Sequence, residues 1–359
     1  MQKDKYNTQN RSDIIVKIIS KKHKIGISEI ITELSKETGK KIPRITVNRD
    51  IEKLIQSNLI IRKGKGPSVY YELSLFFNLL KKIDIQEYFK KEPDNRDVKE
   101  RFNFKIFNCF SNSLFLKNEL SELDKLNDDY KKRIKKLSQT ILKKEFERLT
   151  IELSWKSSQI EGNTYSLIDT EILIKENKPA KNHTKEETQM ILNHKKTLDY
   201  IFSNKNNFKK LTLAKIEDIH KMLIEKMAIK NNIRKNLVGI TGTKYKPLDN
   251  EFQIREALEK LIDIVNKKEN HPLLKAIASV LLISYIQPFE DGNKRTARLL
   301  GNAILLANNY CPLSYRSVND NDYKKAMILF YEQNNAKFFK ELFIDQFIFS
   351  LNNYFLMHY

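Results

Sequence analysis

Ile286-Gln287-Pro288-Phe289-Glu290-Asp291-Gly292-Asn293-Lys294-Arg295-Thr296-Ala297-Arg298 is the stretch that decides the reading of this chain. An apolar run from Ile277 to Ile286 leads into it, and a helical pattern with Leu299, Leu300, Ala303, Ile304 and Leu306 follows. Pro288 disfavours helix at Gln287, and Gly292 permits the turn that a new helix start needs. A short loop therefore joins two mostly buried helices, and Gly292-Asn293 opens the second. A helix start has free N–H groups and a positive dipole end, which suits phosphate. Lys294, Arg295 and Arg298 add cationic donors, with Arg295 and Arg298 three apart on one side. Asp291, beside this cradle, is the candidate magnesium ligand. The competing reading is a plain helix start with solvated basic residues.

At 359 residues the chain is long enough for two or three domains. Lys and Arg exceed Asp and Glu by 65 to 45, a net +20, which suggests an anionic partner: nucleic acid, nucleotide or membrane surface. Cys109 and Cys311 have no metal-ligand spacing and argue against a disulfide scaffold. Met1-Gln2-Lys3-Asp4-Lys5 lacks an apolar signal core, and no apolar run approaches bilayer length. The expectation is a cytoplasmic protein with no membrane partner.

Outward from the central stretch, residues 1–75 read as a unit. Ile14, Ile15, Ile18 and Ile19 make one helical stripe, and Ile27, Ile30, Ile31 and Leu34 a second. A third helix begins near Pro43, and two short β-rich runs flank Lys63-Gly64-Lys65-Gly66-Pro67. That order is the order of a winged helix-turn-helix, an α+β unit, and Arg44 to Ile51 resembles the recognition helices of bacterial winged-helix regulators. This unit carries 16 Lys/Arg against 8 Asp/Glu. Arg44, Thr46, Asn48 and Arg49 are the candidates for base edges and phosphates of double-stranded DNA, and Lys63 and Lys65 for flanking phosphates. A protein-interaction or dimerisation module is the competing reading. Residues 76–180 read as a helical linker, rich in phenylalanine near Phe102 to Phe115, suited to core or to packing against a partner chain such as a second copy.

Ser154-Trp155-Lys156-Ser157-Ser158-Gln159-Ile160-Glu161-Gly162 closes a long helical pattern, with Gly162 as its stop. Ser157 and Glu161 are four apart and share a face. A carboxylate at a helix C-terminus is poorly placed for the dipole and needs a cation elsewhere.

The central stretch resembles the Fic family motif His-x-Phe-x-Asp/Glu-Gly-Asn-Gly-Arg-x-x-Arg, through Phe289, Asp291, Gly292, Asn293, Arg295 and Arg298. Gln287 stands in the place of its histidine, and Lys294 in the place of its second glycine. The lysine resembles the Doc branch, associated with phosphate transfer. Ser157 to Gly162 is similar to the family's inhibitory helix motif, whose glutamate pairs with the motif's last arginine, here Arg298.

The resemblance implies a mainly α protein: an all-helical Fic core over 181–359, with a short β-hairpin flap and an inhibitory helix before it. The flap falls on Val238 to Pro247, with Gly239, Ile240, Thr241 and Gly242 holding a target segment by strand addition. The activity implied is adenylyl transfer from ATP, with Mg²⁺, to a Ser, Thr or Tyr hydroxyl of a protein target. Gly292, Asn293, Lys294, Arg295 and Arg298 would bind the nucleotide. Gln287 would stand where the proton acceptor belongs, and an amide is not basic enough for that task. Two alternatives stand beside this: a DNA-binding regulator that uses the Fic core as a sensor, and Doc-like phosphate transfer through Lys294.

Overall fold

The computed structural model describes residues 3–110 and 114–356, with side chains from residue 11 onward; expectations touching 1–2, 111–113 and 357–359 lie outside the described residues. The chain divides into two compact units, Met1–Lys81 and Lys82–Tyr359.

The first unit holds helices α1 (Lys3–Lys22), α2 (Ile27–Thr38) and α3 (Arg44–Gln56), strands β1 (Ile60–Lys63) and β2 (Tyr70–Leu73), and the short α4 (Leu75–Leu80). The strands pair antiparallel, Ile60 opposite Leu73 and Lys63 opposite Tyr70. Its core collects Ile15, Ile18 and Ile19 from α1, Ile30 and Leu34 from α2, and Val47, Ile51 and Leu54 from α3. Burial at these helical intervals leaves one face of each helix in solvent. Asp50 is 1 % exposed, and Arg11 of α1 neutralises it at 2.9 Å.

The second unit is helical: α5 (Ile85–Phe89), α6 (Ile106–Cys109), α7 (Lys117–Lys136), α8 (Gln139–Ile160), α9 (Leu167–Glu176), α10 (Lys185–Ser203), α11 (Leu213–Leu223), α12 (Glu251–Asn266), α13 (Pro272–Ile286), α14 (Asn293–Ala307), α15 (Asp320–Gln333) and α16 (Lys337–Asn353). Among the described residues none of these helices is long and apolar enough to cross a membrane. The mainly helical class is as expected from sequence.

The centre is the pair α13 and α14, packed along their length. From Ala276 to Ile286 every residue of α13 is buried, which is why its sequence is apolar all round rather than striped. Pro272 starts it at a position where its missing N–H costs nothing, and His271 caps the Leu273 amide. Gly301 of α14 lets the two helices approach, since a Cβ there would lie 2.9 Å from Val280 Cγ2. This close packing fixes the loop between the helices. Gly301→Val therefore over-packs the pair and is expected to cost about 1–3 kcal/mol, read as a lowered Tm; an unchanged Tm would mean that α13 and α14 separate freely.

Candidate functional site

The loop between α13 and α14 is laced by its own side chains. Gln287 ends α13 in a left-handed conformation, φ 52°, and its N–H donates to the Ile283 carbonyl at 2.9 Å. Its Nε2 donates to Ser284 O at 2.7 Å, and its Oε1 accepts from Asn293 Nδ2 at 3.0 Å. Asn293 also donates to Phe289 O at 2.8 Å and accepts the Phe289 N–H at 2.9 Å. Each end of the Gln287 amide already has a partner, one in α13 and one at the start of α14, and the Asn293 side chain is turned to the same task. Asn293 can therefore offer its backbone N–H, not its amide, to a ligand.

Two residues from earlier in the chain brace the loop. The Arg234 guanidinium donates to Gln287 O at 2.6 Å, to Asn236 O at 2.7 Å and to Leu248 O, and the Arg234 N–H donates to Pro288 O at 3.0 Å. The His220 ring stacks on Phe289, centroids 3.6 Å apart and 4° from parallel. Its Nε2 donates to Asp291 O at 3.0 Å, which settles that this nitrogen carries the proton. Burial pulls its pKa down to about 4, so the ring is neutral at pH 7. Sequence alone treats His220 as a structural histidine on a helix; its partner 71 residues away has no local signature.

Gly292, at φ 78°, opens α14. The first-turn N–H groups of a helix have no intrahelical acceptor, and here they meet three cations. Arg295 is 2 % exposed; Nη2 donates to Asp291 Oδ2 at 3.1 Å, while the buried Nε and Nη1 have no protein acceptor. Burial lowers its pKa because Asp291, which is 64 % exposed, compensates it only weakly. A buried cation with unspent donors suits an anionic ligand.

Arg298 is fully buried. Its Nε donates to Ser157 Oγ at 3.0 Å, and its Nη2 to Ser157 O at 2.8 Å and Glu161 Oε1 at 2.9 Å. Its plane lies over Tyr323, 5.3 Å from the ring centre. The other Glu161 oxygen accepts from Lys294 Nζ at 3.2 Å. Glu161 therefore divides its two oxygens between two cations. A two-pronged fork to one arginine does not form: Nε of Arg298 is turned to Ser157, and its buried Nη1 has no protein acceptor. Burial pushes the Glu161 pKa up, but Arg298 and Lys294 outweigh it and hold the group below the usual carboxylate range.

The end of α8 is held for this contact. Gly162 turns the chain at φ 100°, and the following residues are clamped by Glu187 of α10. Its carboxylate takes the Thr164 N–H at 2.9 Å and hydroxyl at 2.6 Å, and its carbonyl takes Asn163 Nδ2 at 2.9 Å. The Thr164 hydroxyl, with the Thr184 and Thr164 N–H groups, pulls the Glu187 pKa down to about 2.

Around these residues lies a cavity of about 350 Å³. Gln287, Asp291–Arg295 and Glu161 form one side, Val238–Thr241 another, and Tyr323, Lys324, Met327, Ile328 and Tyr331 of α15 a third. Val238–Thr241 line the cavity, but the segment from Val238 to Pro247 does not form a β-hairpin, and its turn and second limb bond to other partners. Arg96 takes the Gly242 carbonyl, and the Lys246 N–H goes to Glu100 O at 2.7 Å, beside a parallel bridge from Lys246 to Arg101. Gly242 is left outside the cavity lining. Asp291 shares the cavity wall with Glu161 and Glu290, but among the described residues no three His, Cys, Asp or Glu side chains gather to hold a metal. An ion at Asp291 would need ligand oxygens as well, as magnesium commonly does.

In the first unit Arg44, Asn48 and Arg49 of α3 are exposed and Thr46 is half-buried. Lys65 is exposed in the turn, whereas Lys63 is tied to Glu72 on the opposite strand.

A central, largely buried helix pair, with an anion-suited loop between its members, defines the class of site. Residues 210–305 match the model of the Fic/DOC family. The protein adenylyltransferase Fic of Aedes aegypti is 28% identical over 179 residues, 48% of this chain and 35% of that protein. The one from Nematostella vectensis is 28% identical over 177 residues, 47% of this chain and 40% of that protein. The chain thus spans little more than a third of these relatives. Among solved structures, a Fic domain containing signaling protein from Bacteroides thetaiotaomicron shares the fold at TM-score 0.55 and 21% identity, over 64% of this chain and 95% of that one. Fic-1 from C. elegans, residues 134–508, does so at TM-score 0.54 and 18% identity, over 65% and 69%. The chain carries a Fic/DOC family domain.

His220 supplies a pH prediction. Its folded pKa of about 4 lies below the ordinary 6.5, so the unfolded chain binds the extra proton between these values. The stability it contributes is complete above pH 6.5 and is lost as pH falls toward 4. His220→Gln is expected to flatten the fall of Tm across that window; an equally steep fall would show that the ring does not carry it.

Proposed function

We propose that the cavity binds ATP, with magnesium, in the manner of a protein adenylyltransferase, and that Glu161 restrains it. The observation that carries this reading is the Glu161 carboxylate set between Arg298 and Lys294, beside the unspent donors of Arg295. The relatives' name, protein adenylyltransferase, supports the reaction class. The Gly292–Arg295 amides, Arg295 and Arg298 take the phosphates, and Asp291 holds the magnesium ion together with phosphate oxygens. Glu161 and a phosphate compete for the same Arg298 and Lys294 donors, so the resting site is occupied by its own acid. The acceptor is a Ser, Thr or Tyr hydroxyl on a protein segment laid along Val238–Thr241.

Gln287 makes the site a better binder than catalyst. General-base assistance is commonly worth about 10²–10⁴ in rate, and an amide cannot supply it. What remains is positioning and charge neutralisation, which carry much of phosphoryl transfer. Lys294 supports the second chemistry, transfer of the terminal phosphate; ATP labelled at the α or the γ position separates adenylyl from phosphate transfer.

For the first unit the proposal is a winged helix that binds duplex DNA through α3. Its support is the exposed row Arg44, Asn48 and Arg49 and the element order, with Lys65 free to reach a flanking phosphate.

Two outcomes test these proposals. Glu161→Gly is expected to tighten ATP binding by about tenfold by calorimetry, about 1.4 kcal/mol, and Gln287→His in that background to raise α-label transfer. No gain in affinity removes the restraining role of Glu161. Arg49→Ala is expected to weaken duplex binding and reduce its salt slope by about one; Lys63→Ala does less than Lys65→Ala, because Glu72 already offsets Lys63. An unchanged slope in Arg49→Ala excludes a DNA-contacting α3.

A further inference from the structure

A second cleft, of about 270 Å³, adjoins the first across the tip of the 238–242 segment. Val238–Thr241 line the loop cavity and Gly242 lines this one, so one residue step, about 3.8 Å, separates the two walls along the segment. Lys324 and Ile328 line both. The second cleft is cationic. Lys91, Lys324 and Lys325 face it with Glu92 as the one acid in its wall. Arg96, also in the wall, is already neutralised by Glu332 at 3.4 Å and donates to Gly242 O. Lys91 and Lys324 are exposed and Lys325 half-buried, and among the described residues none of the three has a carboxylate partner. Phe89 lies at the base, with Arg96 at 5.2 Å and Lys325 at 5.9 Å from its ring centre.

We propose that this cleft is a docking subsite for an acidic segment of the protein target, one to three residues from the hydroxyl received by the loop cavity. The inference rests on the preceding reading of that cavity as a site acting on protein hydroxyls. Three ammonium groups without carboxylate partners beside a strand-like segment complement glutamate or aspartate in an extended peptide, whose residues advance about 3.3 Å each. Single-stranded nucleic acid fits less well, because it needs open aromatic faces for stacking and two cations already cover the Phe89 ring. The subsite selects targets by charge, while the loop cavity handles the nucleotide.

The experiment uses the full chain and short serine peptides flanked by glutamate, glutamine or lysine, read by fluorescence anisotropy. The glutamate peptide is expected to bind about tenfold tighter than the glutamine peptide at low salt, with the gap narrowing as salt rises. Lys91→Glu with Lys325→Glu abolishes that preference and confers one for the lysine peptide, a gain that an unfolded variant cannot produce. Equal binding of the glutamate and glutamine peptides overturns the proposal, as does a preference that survives the double substitution. So does stronger Lys91- and Lys325-dependent binding of a single-stranded oligonucleotide or of phosphatidylserine vesicles. ATP affinity, measured separately in Glu161→Gly protein, tells the two readings apart. Peptide preference without ATP binding leaves the subsite standing and removes the nucleotide reading, and ATP binding without peptide preference does the reverse.

Discussion

A guanidinium with no access to water must be compensated inside the protein, and Arg298 imposes that condition on the second unit. Leaving such a charge unpaired costs several kcal/mol. Its Nε and Nη2 donate to Ser157 and Glu161, so the last turn of α8 has to reach the second turn of α14, while the buried Nη1 has no protein acceptor. Much else in the neighbourhood serves that meeting. Gly162 turns the chain away immediately after Glu161, and Glu187 ties the next two residues to α10. On the other side, the Gly301 contact lets α13 and α14 lie close enough to fix where Arg298 emerges.

The loop carrying the motif is rigid for a related reason. A non-glycine residue at positive φ, Gln287, is held there by its neighbours rather than by its own preference. The lacing of Gln287 to Asn293, the grip of Arg234 on two loop carbonyls, and the His220 bond to a third leave little freedom. Preorganised amides at the start of α14 need no rearrangement to meet an anion. The same lacing bears on chemistry: the side chain where a base would act spends both ends of its amide as a brace.

Much of this was legible in the chain because the signals were local. The all-round apolar run of α13 cannot be mistaken for a surface helix, and Pro288 and Gly292 mark the loop between two residues that break regular structure. The pairing of Glu161 with Arg298 was legible only through the resemblance, since 137 residues separate them. Its geometry was not. The sharing of the carboxylate with Lys294, which leaves Nη1 of Arg298 without an acceptor, is a packing detail without a sequence pattern. The β-hairpin expected at 238–247 failed for the same kind of reason. Its turn residues are right, but Arg96 holds the turn carbonyl of Gly242 and the Glu100 carbonyl, remote in sequence, takes the Lys246 N–H of the second limb. Arg234, the strongest brace of the site, reads in sequence as one basic residue among 65.

The position of Glu161 explains why the restraint proposed for it is a balance and not a lock. At the C-terminal end of α8 a carboxylate faces the negative end of the helix dipole. It stays because the positive end of α14, with Lys294 and Arg298, lies opposite. Arg295 stands outside that arrangement, with two buried N–H groups unmet and only an exposed carboxylate beside it. A polyphosphate offers more charge than one carboxylate and reaches donors that Glu161 leaves untouched. On the proposed reading the acid raises the concentration at which such a ligand enters, without removing the reason for it to bind.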